Sequence, residues 1–262
     1  MKAYTAILSA RFRALLQYRA AAVGGFGCQL FWGLIRMMIF TGFYASSTAP
    51  APMPLEQVIT YIWLGQAFFA MFPLRLDGEV VQMIRTGNVA YELLRPVDLF
   101  SFWYSRALAA RLAPTALRAA PLLAIAAAAG WIRWTGPANV AACAAALLGA
   151  VLLSAALSTL VTISLFWTIS GQGVNQLVVT LSFLLSGMIV PLPLFPDSFQ
   201  PVLAALPFRG LCDAPYRLYT GHIPLRELPA ALAHQLAWTA GLIFFGRWLL
   251  RRAVRRLVVQ GG

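Results

Sequence analysis

Long apolar runs alternate with short polar connectors along the whole chain, and the charged residues keep to the connectors. All eight carboxylates, Glu56, Asp77, Glu79, Glu92, Asp98, Asp197, Asp213 and Glu227, fall between apolar runs. A charge at mid-bilayer costs about 2.5 to 3.5 kcal/mol on the insertion scale, so the gaps between charges trace where lipid lies. The runs at 20–45, 57–76, 107–131, 138–168, 174–193 and 232–250 each approach or exceed the ~20 residues a helix needs to cross hydrocarbon. They predict an all-α, polytopic membrane protein with six transmembrane helices. The run 138–168 exceeds the minimum, and its helix tilts or continues into the cytoplasm.

The connectors carry patterns of their own. Ahead of the first run, Tyr4, Ile7, Leu8, Phe12 and Leu15 gather on one side of a helical wheel, with Arg13 and Gln17 opposite. This is the pattern of a helix lying in the inner membrane interface; a cytoplasmic extension of the first span is the alternative. Arg11 lands on the apolar side and would have to snorkel. Arg11, Arg13 and Arg19 interrupt the short apolar core that a signal peptide requires, so no cleavage is expected.

Between the second and third runs, Val80, Val81 and Ile84 lie close to one face of a short helix, Gly87-Asn88 breaks it, and Pro96 holds Arg95 away from helical geometry. A helix, a turn and a second short segment at the cytoplasmic surface are predicted; a plain solvated loop is the bland alternative. Between the fifth and sixth runs, Pro191, Pro193, Pro196, Pro201, Pro207, Pro215, Pro224 and Pro229 forbid one continuous helix and favour short broken ones. Residues Phe199 to Leu206 are expected to dip into the outer leaflet. Irregular backbone survives there only under protein or beside a water-filled cavity, which suggests an outer gate around Pro191, Phe195, Pro196, Pro207 and Phe208. A folded extracellular loop explains the same prolines. The chain thus divides into an interfacial helix (1–19), spans one and two (20–76), a cytoplasmic region (77–106), spans three to five (107–193), outer broken helices (194–231), and span six with a basic tail (232–262), all in one transmembrane domain.

Small residues dominate the fourth run, where Ala141, Ala142, Ala144, Ala145, Ala146, Gly149, Ala150, Ser154, Ala155, Ala156 and Ser158 permit close helix approach. The first run sets Gly24, Gly25, Gly27 and Gly33 beside Phe26, Phe31 and Trp32.

Composition supports a lipid solvent: 60% hydrophobic and 11% charged residues exceed what a soluble 262-residue domain hides in one core. The net charge of +12 is dispersed between spans rather than gathered with stacking aromatics, so anionic lipid headgroups, not nucleic acid, are the expected partner. Basic residues cluster on one side: Lys2, Arg11, Arg13 and Arg19 before the first run, Arg75, Arg85, Arg95, Arg106 and Arg111 around the second connector, and Arg247, Arg251, Arg252, Arg255 and Arg256 at the end. The other side holds Arg133, Arg209, Arg217 and Arg226, so both termini are expected in the cytoplasm. Arg247, Arg251 and Arg255 share one helix face, as a topology anchor or a regulated lipid contact. The connector Ser170-Gly171-Gln172-Gly173-Val174-Asn175 carries no charge and leaves the orientation where it stands.

Catalytic chemistry is hard to place. Cys28, Cys143 and Cys212 are far apart without Cys-x-x-Cys spacing, and His222 and His234 stand twelve apart, so no metal site is expected. Lys2 is the only lysine, so the chain has no phosphate-binding loop and is not expected to be an enzyme. An ion-coupled carrier normally shows an ionisable residue within the bilayer, and no acidic residue occupies a proposed span. Arg36 and Arg118 are the clear intramembrane charges; they either snorkel or face a translocation path, where each could meet an anionic substrate group. A non-transport scaffold is the third reading.

The run Gly87-Asn88-Val89-Ala90-Tyr91-Glu92-Leu93-Leu94-Arg95-Pro96-Val97-Asp98 resembles the G-x-(V/I)-x-Y-x-L-L-R-P-(V/I)-(D/N) stretch of permease subunits in the type-2 ABC exporter family, in particular a bacterial branch of six-span permeases. Ser186-Gly187, Pro191, Phe195-Pro196, Leu206-Pro207-Phe208 and Ala214-Pro215-Tyr216-Arg217-Leu218-Tyr219-Thr220-Gly221 resemble its outer segment more diffusely. The likeness covers essentially the whole chain. It implies a permease subunit of a bacterial inner membrane that pairs with a second copy or a related permease. It also implies docking to separate ATP-binding subunits, which would bind ATP and Mg, and export of an amphipathic, drug-like or lipid-like substrate. The region from Glu79 to Asp98 would be the coupling helix surface, made of Glu79, Arg85, Gly87, Tyr91, Glu92, Leu93, Leu94, Arg95 and Pro96. There Arg85, Glu92 and Arg95 would supply charged contacts, and Leu93 and Leu94 would fill pockets. In the family the first span pairs with the partner's fifth, which would set the glycine-rich stretch opposite Leu177 to Met188; ordinary intrasubunit packing explains the same glycines.

Overall fold

A computed structural model describes residues 2–17, 19–48, 50–73, 76–168 and 171–255, and among them every regular element is helical. Arg75, Ser170, Arg256 and the side chain of Arg19 lie outside the described parts. The helices are α1 (Lys2–Leu16), α2 (Arg19–Ser46), α3 (Leu55–Ala67), α4 (Gly78–Arg85), α5 (Val89–Leu93), α6 (Leu99–Ala128), α7 (Pro137–Ser164), α8 (Gln172–Leu185), α9 (Gln200–Ala205), α10 (Asp213–Thr220) and α11 (Leu228–Val254).

Four of the described helical stretches are long and apolar enough to cross a membrane: Val23–Ser46, Leu99–Ala128, Pro137–Ser164 and Leu225–Val254. The apolar runs at 57–76 and 174–193 hold shorter helices, α3 of 13 residues and α8 of 14, each about 20 Å at 1.5 Å per residue. Tertiary contacts explain the early stop of α3. Past Ala67 the chain tightens into a 3₁₀ turn, Phe69–Met71, with Phe68 stacked on Tyr216, and Phe69 and Phe72 both against Phe183. Helix α8 gives way just ahead of Gly187, whose φ of +86° suits glycine. A Cβ there would also collide with the Tyr61 hydroxyl. At its other end α6 begins earlier than its apolar run, because Asp98 caps it: the carboxylate accepts the Ser101 amide at 2.9 Å. The early start carries Arg111 deep into the helix.

Helix α7 is the centre of the molecule. In its most apolar stretch 67% of residues are buried, against 11% for that of Val23–Ser46, so the small-residue run is packed over most of its surface while α2 stays peripheral. Ala142, Ala146, Gly149, Ala150, Ser154, Ala155, Ala156 and Ser158 face neighbours, whereas Ala141 and Ala144 face outward. Gln235 of α11 reaches into this seam fully buried, its amide nitrogen donating to Ala146 O at 2.9 Å and Gly210 O at 2.7 Å. A Cβ on Gly149 would strike that amide, while Gly42 has open space around it. Gly149→Ala should therefore destabilise by about 1 to 3 kcal/mol through overpacking. Gly42→Ala should leave the melting temperature unchanged or slightly raised, as measured on the purified chain in detergent.

The proline-punctuated segment breaks into 3₁₀ turns and the short helices α9 and α10, as its sequence predicts. It is part of the core rather than a surface loop: Met188, Phe208, Leu211, Cys212, Tyr216 and Tyr219 pack with Tyr61, Ile62 and Leu153. Asp213 is buried, its amide donating to Ser186 O at 3.0 Å and its carboxylate paired with Arg217 at 3.0 Å. In α9 Leu203 points inward, while Val202 and the preceding Phe199 are exposed.

Candidate functional site

The connector between α3 and α6 is built around one four-charge cluster. Asp77 caps α4 by accepting the Glu79 amide at 3.1 Å. Arg106 of α6 donates Nε to Asp77 at 2.7 Å and pairs with Glu79 through Nη2. Arg11 of α1 closes the cluster from the other side, with Nη1 2.7 Å from Glu79 and Nη2 3.4 Å from Asp77. Arg11 therefore does not snorkel: the apolar face of α1 turns towards α6 rather than lipid alone, and its charge finds carboxylates there. Tyr4, on the same helix, accepts the Asp98 amide at 2.9 Å. Apolar anchors add to the charges. Val80 of α4 and Val89 of α5 are buried among Leu99, Phe100, Trp103, Ile163 and Leu250, with Met83 and Ile84 packed beside them. Glu79 is held below the usual carboxylate range by its hydrogen bonds from Arg106 and then Arg11, against the weaker opposing pull of burial.

A lowered folded-state pKa means Glu79 contributes stability that is fully present above its ordinary value of 4.5 and is lost as pH falls through the lower folded value. The contact between α1 and α4 should persist at pH 5 and loosen only below about 4.5. A disulfide cross-linking or spin-label distance series between the two helices reads this directly.

Helix α4 ends at Gly87, where φ is +76°, and α5 follows at once. The surface beyond is open and apolar: Tyr91 is 70% exposed, Leu94 81% and Leu93 40%. Arg85, Arg95 and Pro96 are exposed beside them. Glu92 is not. Its carboxylate is buried and lies 3.3 Å from Arg95, with Oε2 unpartnered. Arg95 also lies over the Phe102 ring at 5.7 Å. Of the residues the sequence groups here, Tyr91, Leu93, Leu94, Arg95 and Pro96 form one accessible face, while Glu79 and Glu92 serve internal ion pairs.

Arg36, Arg118 and Arg111 lie well inside α2 and α6, away from the helix ends. Arg36 of α2 donates Nη2 to Ile189 O at 2.8 Å, and among the described residues no carboxylate pairs with it. The Arg118 guanidinium covers Gly25, where a Cβ would collide with it, so it bridges α6 to α2. Arg111 is buried between α6 and α7, donating Nε to Ser154 Oγ at 2.7 Å, Nη1 to Ala107 O at 2.6 Å, and Nη2 to Ser158 Oγ. Sequence reasoning set Arg111 among the cytoplasmic charges and missed this bracket. The signal was available in Ser154 and Ser158, one helical turn apart in an otherwise apolar run. Gln235, a polar group within the sixth apolar run, was missed in the same way.

In the proline-punctuated segment, Pro191, Pro207 and Phe208 are buried, Phe195 is half-buried and Pro196 is exposed. Gln200 ties this corner together, its amide nitrogen donating to Leu192 O at 2.8 Å and Phe195 O at 3.0 Å. Among the described residues no cluster of His, Cys, Asp and Glu could hold a metal ion.

Against known proteins, the family model described as "ABC-2 family transporter protein" matches residues 26–261. No curated protein and no solved structure matches the chain.

Proposed function

The chain belongs to the ABC-2 family of transporter proteins, and from that premise we propose that it is the six-span permease of an exporter whose power stroke comes from a separate ATP-binding subunit. Membership makes it a multi-pass membrane subunit of an ABC transporter. The observation that carries the finer reading is the exposed apolar face of Tyr91, Leu93 and Leu94 on a connector otherwise locked to the bundle. An exposed apolar patch held on a rigid support marks a docking surface. Closure of two ATP-binding subunits, each loaded with ATP and Mg, would push this surface. The Asp77–Glu79–Arg106–Arg11 cluster would then carry the displacement into α6 and α1, and Arg111 would carry it from α6 into α7.

In this reading α3 with its 3₁₀ extension and α8 with the turns after it are the second and fifth crossings, and both termini lie inside the cell. The protein assembles as a dimer through α2 and the partner's α8. Val23, Phe31, Trp32 and Met38 on α2, and Leu177 and Leu184 on α8, present exposed apolar surface for it. The glycines of α2 divide between two uses. Gly25 and Gly33 admit Arg118 and Trp63 of the same chain, while Gly24 and Gly27 have open space for a neighbour. The cargo is amphipathic, the membrane is the bacterial inner membrane, and the outer turns around Pro191 and Phe208 close the path.

Two measurements test this. Affinity purification of the tagged chain from its native membrane, followed by mass spectrometry, should recover an ATP-binding subunit in stoichiometric amount; recovery of the chain alone contradicts the reading. In a Cys28→Ala background, Asn88→Cys should react with an impermeant thiol reagent only from inside and Leu225→Cys only from outside, both positions being exposed. The reverse pattern overturns the orientation.

A further inference from the structure

A cavity of about 680 Å³ lies between α2, the end of α3 and the turn after α8, and Arg36 stands on its wall. That volume suits a drug-sized ligand. The lining is apolar and aromatic, with Trp32, Phe40 and Phe183, and only a few polar groups converge on it. Arg36 sits about 15 Å along the helix axis from the end of α2 at Ser46, well below the outer surface. A guanidinium at that depth keeps its charge, and its neighbour at hydrogen-bond distance is the neutral Ile189 carbonyl. Two turns below it on the same face, Gln29 is buried with Oε1 unpartnered. An amide of this kind can turn either end to a ligand.

We propose that this cavity binds an anionic amphiphile, with its carboxylate or phosphate on Arg36 and a hydrocarbon or aromatic body against Trp32, Phe40 and Phe183. A guanidinium without a carboxylate partner supplies a paired donor fork that matches these two head groups. The apolar wall supplies the rest of the affinity. The position of Arg36 favours a single-chain or compact anion over a bilayer phospholipid, whose head group would have to descend from the surface. Binding stands on the cavity alone; that the ligand is exported cargo rests on the permease reading.

The molecule carries its own reporter. Cys28 lines the cavity and is exposed, whereas Cys143 and Cys212 are buried. Alkylation of Cys28 by N-ethylmaleimide, followed by mass spectrometry of the full chain in neutral detergent, should slow about tenfold or more as oleate is titrated in. Oleyl alcohol, with the same chain and no charge, should protect only weakly. Arg36→Gln should lose the oleate protection and Arg36→Lys should keep part of it, with unchanged melting temperatures showing that both variants fold. Equal protection by the alcohol, or undiminished oleate protection in a folded Arg36→Gln protein, overturns the proposal. Dioleoyl phosphatidylglycerol distinguishes the source of the anion: protection by oleate alone assigns a free amphiphile, and Arg36-dependent protection by the phospholipid assigns a lipid phosphate. The permease reading is tested separately, by whether an ATP-binding subunit co-purifies, so the two ideas can fail independently.

Discussion

Arg106→Glu is expected to cut ATP hydrolysis by the assembled transporter about tenfold or more in its substrate- and permease-dependent part, while the chain still inserts into the membrane. Arg106 makes charge-assisted hydrogen bonds to both Asp77 and Glu79, and each such bond contributes about 1.5 to 3 kcal/mol. Reversal replaces attraction with repulsion at both carboxylates. Arg106 and Asp77 are largely buried, with side-chain exposures of 13% and 16%, so solvent screens little of the Asp77 contact, while Glu79, 58% exposed, contributes less. Helix α4 would then be held by the packing of Val80 and by the Arg11 contacts to Glu79 and Asp77. The second substitution Glu79→Arg restores one opposite-charge pair and should recover part of the activity, which a generally misfolded Arg106→Glu chain could not do. Arg11→Gln should have a smaller effect, because Arg11 meets Asp77 only at 3.4 Å and its 2.7 Å contact is to the more exposed Glu79. ATP hydrolysis measured in nanodiscs, with and without the permease, separates these cases. Full coupling in Arg106→Glu would mean the cluster is a structural tether and not a lever.

Leu94→Asp should weaken binding of the ATP-binding subunit about thirtyfold or more, the level of an interface hot spot costing 2 kcal/mol, with the melting temperature of the isolated chain unchanged. The two halves of that expectation come from one fact. Leu94 is 81% exposed, so it makes little intramolecular contact to lose and its apolar surface is open to a partner. Tyr91→Asp should behave similarly. Val89→Asp should instead unfold the inner end, because Val89 is fully buried beneath the same surface. A Leu94→Asp chain that is unstable alone, or one that binds the ATP-binding subunit normally, contradicts the assignment of this face.

Most of the architecture can be read in the amino-acid order, for identifiable reasons. Apolar run length predicts α2, α6, α7 and α11, since length and composition are what a membrane crossing demands. Local backbone chemistry predicts the connector: Gly87 adopts the positive φ that ends α4, and the prolines after α8 impose the short pieces. What the sequence conceals is where apolar runs stop being helical, because this depends on distant partners. The end of α3 is decided by Tyr216 and Phe183, more than a hundred residues away. Charges show the same limit. Periodicity put Arg11 on an apolar face, from which it would have to snorkel, and only the approach of α4 supplies Glu79 and Asp77. At the connector, the resemblance to type-2 ABC permeases grouped Glu92 with Tyr91 and Leu94, yet a helix of five residues turns Glu92 inward and Tyr91 and Leu93 out.

The central claim is that the Tyr91–Pro96 face receives the ATP-binding subunit. A photo-reactive phenylalanine analogue placed at position 94, activated in native membranes, tests it with least intermediary inference. A covalent adduct between the chain and an ATP-binding subunit at position 94, and none from position 225, which is also exposed but lies in the proline-punctuated segment, is the predicted result. An ATP-binding subunit that co-purifies with the chain but yields no adduct at 94, or yields one at 225, would contradict it.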